Sequence, residues 1–242
     1  MRIGAPPTIV FDLDGTLVHT VPDIAAALDI ALAPYAAHPT SSAEAATMMG
    51  DGLSAFFWRA LVTKRLNLPA LEADAARKRF IEVYRQFPAR LSEVYPGIRE
   101  LLEVLRDNGV LTAVCTNKVE AIAVDILRRL QLRGLFEVVI GSRDDQPMKP
   151  HPRPLLETVA RAGGRLERSL LVGDTGADAG AALAAHIPVI LVDYGYSHVP
   201  IRALAYGTIV ETAASLREAV LDFVGMDRTE RQDSTLSREW AA

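Results

Sequence analysis

From residue 96 onward the chain alternates short apolar runs with amphipathic stretches, and this alternation limits the fold more than any other feature. Residues 110–115, 136–140, 170–172 and 189–192 are mostly Val, Ile and Leu and read as buried strands. A last short strand is expected at 208–210. Residues 98–108, 119–131, 155–162 and 177–185 carry helical spacing between them, and a final helix runs to about Val224. Gly109, Gly134 and Gly163 follow three of these helices, as glycine does past helix C-termini. Apolar strands joined by helices predict an α/β fold, a doubly wound parallel sheet covered on both faces. The run Thr8–Ile9–Val10–Phe11 near the start belongs to the same sheet.

Between about residues 21 and 86 the strand signals vanish. Ile24, Ala27, Leu28, Ala31 and Leu32 follow the three-four spacing of an amphipathic helix. Ser41 with Glu44 resembles a capping box, opening a second helix expected to stop near Gly50. Leu53, Phe56, Phe57, Ala60 and Leu61 mark a third helix, and Phe80, Tyr84 and Phe87 a fourth. The expected division is a discontinuous core, residues 1–19 and 93–225, an inserted all-helical domain, 20–92, and a polar tail, 226–242.

A net charge of −4 leaves no basic excess for a nucleic-acid backbone. One cysteine, Cys115, allows neither an internal disulfide nor a cysteine-rich zinc site, which suits a reducing compartment. The first residues are too short in apolar length for a signal peptide, and no stretch reaches membrane-spanning length. A cytoplasmic protein with no membrane partner is the expectation; the residues do not set an oligomeric state.

Polar clusters end the strand-like segments: Asp12, Asp14 and Thr16; Thr116 and Asn117; Lys149; Asp174 and Asp178. The C-terminal strand ends of a doubly wound sheet share one edge, so these groups can converge there. Carboxylates held close repel unless a cation or a shared proton lies between them. Gly15 allows a sharp turn that brings backbone N–H groups near an anion. Carboxylates, a hydroxyl and an ammonium in one cleft suit a phosphate beside a hard divalent cation.

Asp12–Leu13–Asp14–Gly15–Thr16, Thr116, Lys149–Pro150 and Gly173–Asp174–Thr175 with Asp178, in this order, resemble the haloacid dehalogenase superfamily of phosphatases. The run from Asp14 to Ala27, Tyr95–Pro96–Gly97 before Cys115–Thr116–Asn117–Lys118, and Lys149–Pro150–His151–Pro152 are similar to phosphoglycolate phosphatases. The resemblance implies a Rossmann-like core with a helical cap, Mg2+ and a small phosphorylated metabolite, phosphoglycolate first. It implies Asp12 as nucleophile, Asp14 as general acid and base, and Thr116 and Lys149 completing the catalytic set. Gly15, Thr16 and Asn117 would help hold the phosphoryl group. Magnesium would bind the carboxylates of Asp12 and Asp174 and the backbone carbonyl of Asp14, with Asp178 behind them. Gly50 and Asp51, in Gly50–Asp51–Gly52, are the candidate cap loop facing substrate.

A phosphomutase such as β-phosphoglucomutase would use the same residues and return phosphate to the sugar. A non-catalytic receiver-like module shares the acidic pocket, but its motif order differs and it lacks a helical insert. Lys118 is expected at the surface, Arg59 and Arg85 in solvent, His151 and His186 structural, and the aromatic residues 56–58 inside the helical insert. His19–Thr20 stands where relatives commonly carry Asp–Ser. His186 stands where a glycine usually ends the helix, so a changed local turn is expected there.

Overall fold

The computed structural model describes residues 5–144, 146–197, 199–204 and 206–226. Six parallel strands form the main sheet: β1 (Thr8–Phe11), β4 (Leu111–Val119), β5 (Val138–Ser142), β6 (Ser169–Gly173), β7 (Val189–Val192) and β8 (Thr208–Val210). Their spatial order is β5-β4-β1-β6-β7-β8. The chain winds outward from β1 through β4 to β5, then crosses back to β6 on the other side. That reversal makes the ends of β1, β4 and β6 a switch point, where open α/β sheets bind ligands.

Side-chain alternation along β1 explains the two cores. Ile9 and Phe11 join Val114, Val172 and Ile190 on one face, while Val10 joins Ala113, Leu171 and Leu191 on the other. The second face is closed by α7 (Arg153–Arg161) and α8 (Gly176–Ala185), through Leu155, Val159, Ala179 and Ala182. The first is closed by α5 (Ile98–Asp107), α6 (Glu120–Arg129) and α9 (Ala213–Val224), through Leu101, Ile126 and Val220.

The expected helical stretch forms α1 (Val21–Leu32), α2 (Ser42–Ala46), α3 (Gly52–Thr63) and α4 (Ala70–Gln86). Its apolar interior, with Phe56, Phe57, Phe80 and Tyr84, runs into the first sheet core without a break. Ser41 Oγ accepts from Glu44 N at 3.1 Å, yet α2 ends at Ala46, well before Gly50. Two strands too short to carry a pattern escaped sequence reading. They are β2 (Val18–His19) and β3 (Glu93–Val94), which pair antiparallel and bind the two connections of the helical segment to each other. Beside them, the buried Asp23 carboxylate accepts from the backbone N–H groups of Arg90, Leu91 and Ser92 at 2.7–3.1 Å. One acidic residue in the first turn of α1 thereby fastens the returning chain.

His186 corrects an expectation. It ends α8 in the left-handed conformation, φ 55°, and its N–H still bonds back to Ala182 and Leu183. The left-handed cap that glycine favours is made here by the histidine, which accepts the conformational cost. Among the described residues no helix is long and apolar enough to cross a membrane. Most of the expected polar tail, from residue 227, lies outside the described residues.

Candidate active site

The loop after β1 folds back on itself. The Leu13 carbonyl accepts from Leu17 N and Val18 N, both at 3.0 Å, and Gly15 turns with φ 81°. A side chain at Gly15 would place its Cβ 2.2 Å from Asp174 Oδ2, so only glycine lets this loop approach β6. The neighbouring Thr16 is buried, and its hydroxyl donates to Asp174 Oδ1 at 3.1 Å.

Asp12, at the end of β1, Asp174, just past β6, and Asp178, in the first turn of α8, gather with ligand oxygens within 4.8 Å of one another. Lys149 reaches in from the loop after β5. Its ammonium lies 3.1 Å from Asp12 Oδ1 and donates to Asp178 Oδ1 and to the Cys115 carbonyl, each at 2.6 Å. Burial acts to lower the Lys149 pKa, but Asp12 and Asp178 outweigh it and hold the amine protonated. Burial pushes the Asp12 carboxyl up to about 6; Lys149 opposes this, and Asp178 and Asp14 add to it. Burial also raises Asp174, helped by Asp12 and Asp178. Three carboxyl groups thus face one ammonium, an excess of two negative charges when all are ionised. Oxygen donors with that charge deficit fit a hard divalent cation.

Asn117 holds Lys149 in place. Its amide donates to the Lys149 carbonyl and accepts from the Lys149 N–H, both at 2.9 Å. Asp178 does two things at once: its second oxygen accepts from Thr175 N–H and hydroxyl at the start of α8. Asp178 thus caps α8 and binds Lys149 with the same carboxylate.

The Asp14 side chain is not in this acidic group. Both its oxygens accept from Lys118 Nζ, at 2.8 and 2.9 Å, and Oδ1 also accepts from the Thr20 hydroxyl. Lys118 is therefore not a surface residue; it is 3% exposed. The reason lies in β4, which does not stop at residue 115 but continues to Val119. Thr116 and Lys118, two apart on an extended strand, are both carried to the cleft.

The cleft is lined on the sheet side by Asp12, Asp14, Thr116, Asn117, Lys118 and Asp174, and also by Tyr196. Opposite stand Ile24, Met49, Leu53 and Phe56, with Gly50 and Gly52. Asp51 is not part of the wall: it is exposed, with its carboxylate on Arg59. Arg59 is half-buried rather than free in solvent and also donates to the Met48 and Met49 carbonyls, bracing the loop that carries Gly50. Arg85 and His151 are exposed, and of the aromatic trio Phe56 and Phe57 are buried while Trp58 is 45% exposed.

Tyr196 was not visible as a site residue. Its N–H donates to Asp174 Oδ2 at 2.7 Å, and its hydroxyl meets His19 Nδ1 at 2.7 Å. A loop tyrosine 22 residues after Asp174 carries no local signal of that contact.

Comparison with known proteins gives the family. A sequence profile of the haloacid dehalogenase-like hydrolases matches residues 9–192. A phosphoglycolate phosphatase of Agrobacterium fabrum is 35% identical over 89% of this chain and 93% of its own. One of Caulobacter vibrioides is 35% identical over 88% and 90%. A solved structure described as a predicted phosphoglycolate phosphatase, from Haemophilus somnus 129pt, superposes with a TM-score of 0.82 at 29% identity. It covers 90% of this chain and 99% of its own. The chain belongs to the haloacid dehalogenase-like hydrolases, among their phosphoric monoester hydrolases.

Proposed function

We propose that the protein hydrolyses phosphoglycolate, a small phosphorylated acid, with Mg2+ as its cation and Asp12 as its nucleophile. The observation that carries this reading is the unbalanced trio Asp12, Asp174 and Asp178 around Lys149, set beside an acid–base candidate, Asp14, that has its own lysine. Bound magnesium would be held by Asp12 and Asp174, with Asp178 behind, and would supply charge neutralisation that lets a carboxylate approach a phosphoryl group.

In the first half, Asp12 attacks phosphorus as the ester P–O bond breaks, and Asp14 gives its proton to the departing oxygen. In the second half Asp14 takes a proton from water, which displaces Asp12 and releases phosphate. Lys149 offsets charge on Asp12 and the phosphoryl oxygens, and Thr116 offers its hydroxyl to them. Asn117 contributes by fixing Lys149.

Residues 20–92 act as a cap over a core made of 1–19 and 93–225. The apolar wall of Ile24, Met49, Leu53 and Phe56 supports this, since it faces the acidic groups and would exclude water from them. A cytoplasmic setting fits the single buried cysteine.

The test is phosphate release from a panel of phosphorylated metabolites, with magnesium and with a chelator. Phosphoglycolate is expected to be turned over best and to need the metal. If no phosphomonoester in the panel released phosphate, the reading would be wrong.

A further inference from the structure

Lys149 has an assigned task; Lys118, equally buried, has none. Its side chain is 1% exposed and bonds to both oxygens of Asp14. Behind it lies the ring of Tyr84, whose centroid is 4.8 Å from Nζ. Tyr84 belongs to α4, on the helical segment, and is fully buried. Its hydroxyl has no hydrogen-bond partner among the described residues, so α4 offers Lys118 the face of a ring and nothing more. Thr20, at the start of the same segment, donates to Asp14 Oδ1. Asp14 Oδ1 is thus anchored twice, and Oδ2 has one contact, with Lys118.

The geometry points to Lys118 as the positioning residue for Asp14, seated by the ring of Tyr84. It keeps the Asp14 carboxyl apart from the Asp12, Asp174 and Asp178 group and leaves Oδ2, which has a single partner, as the oxygen that exchanges a proton with the leaving group. A carboxylate only two residues from Asp12 would otherwise be drawn to the cation that the neighbouring trio attracts. Tyr84 and Thr20 both come from the helical segment, so that segment touches each member of the Lys118–Asp14 pair. This inference rests on the phosphatase reading and adds a residue to it.

The test uses kcat/KM, which covers the steps through departure of the alcohol, on the full chain with magnesium. Three substrates are compared: phosphoglycolate, ethyl phosphate and p-nitrophenyl phosphate. The first two need a proton on the leaving oxygen, and the third does not. K118M is expected to lose about 100-fold on both alkyl esters, the contribution of one positioned acid, and less than about threefold on the aryl ester. K118R should recover part of the loss. Y84L should show the same selectivity at about threefold or more, and Y84F none, because only the ring face is used.

Equal losses on all three substrates would overturn the proposal, since a structural or phosphate-binding role predicts them. A loss on phosphoglycolate alone would overturn it too, showing recognition of the substrate carboxylate. If K118M does not fold, the ratio for Y84L against Y84F decides. Failure of the parent enzyme on every substrate would instead refute the phosphatase reading.

Discussion

The two walls of the cleft are built from opposite materials. The sheet edge contributes Asp12, Asp14, Asp174, Thr116 and Lys118, with Lys149 just behind Asp12. The helical wall contributes Ile24, Met49, Leu53, Phe56 and two glycines. The polar groups come from strand ends and the loops just after them, which a hydrogen-bonded ladder holds in place. The helices bring apolar surface, which lowers the local dielectric and strengthens every charge contact opposite. In the proposed reaction one wall supplies the reacting groups and the other sets the medium around them.

Breaking each wall should therefore give a different signature. Asp12→Asn, on the sheet side, is expected to lose phosphatase activity by a factor on the order of 10⁴ or more while keeping its fold. Phosphate release beside a circular-dichroism melt checks this; parental turnover would remove Asp12 from the chemistry. Phe56→Ala, on the helical side, should cost stability instead, about 3–5 kcal/mol by urea unfolding, because its ring is buried between α3 and α4. The residual folded enzyme should show a raised KM more than a lowered kcat.

The acidic wall should also respond to pH in a way the apolar wall cannot. The folded Asp12 carboxyl, raised from 3.8 to about 6, binds its proton more tightly than in the unfolded chain. Metal-free protein should then lose stability as pH rises from about 4 to about 6, by on the order of 1–3 kcal/mol from this group. Millimolar MgCl2 should shrink the loss. Thermal melts across this range, with chelator and with magnesium, test it; a metal-free protein gaining stability over the same interval would contradict the burial of that carboxylate. The smallest effect belongs away from both walls, at the far end of α8. His186→Gly should raise stability by about 0.5–1 kcal/mol, with activity unchanged, by relieving a left-handed non-glycine residue.

Legibility followed locality. The six strands and most helices were readable because each rests on a run of residues with one periodicity. Val18–His19 and Glu93–Val94 were not, because a two-residue strand exists only through its partner. Lys149 was read as one of the polar groups gathering at the sheet edge, and the family resemblance gave it a role. Lys118 was misplaced because β4 was ended too early; the alternation Thr116, Asn117, Lys118 held the correction. Asp51 was placed in the wall on its neighbours' account, and Arg59 draws it away.

By itself the sequence determined which groups could perform chemistry and on which strand ends they sit, since spacing along a strand and the turn at Gly15 are short-range properties. Only the tertiary structure decided the pairings: Lys149 with Asp12 and Asp178, Lys118 with Asp14, Tyr84 under Lys118. Those choices depend on which side chains lose water together when the helices settle on the sheet. Desolvation and charge attraction between residues from 29 to more than a hundred positions apart leave no imprint on the local pattern.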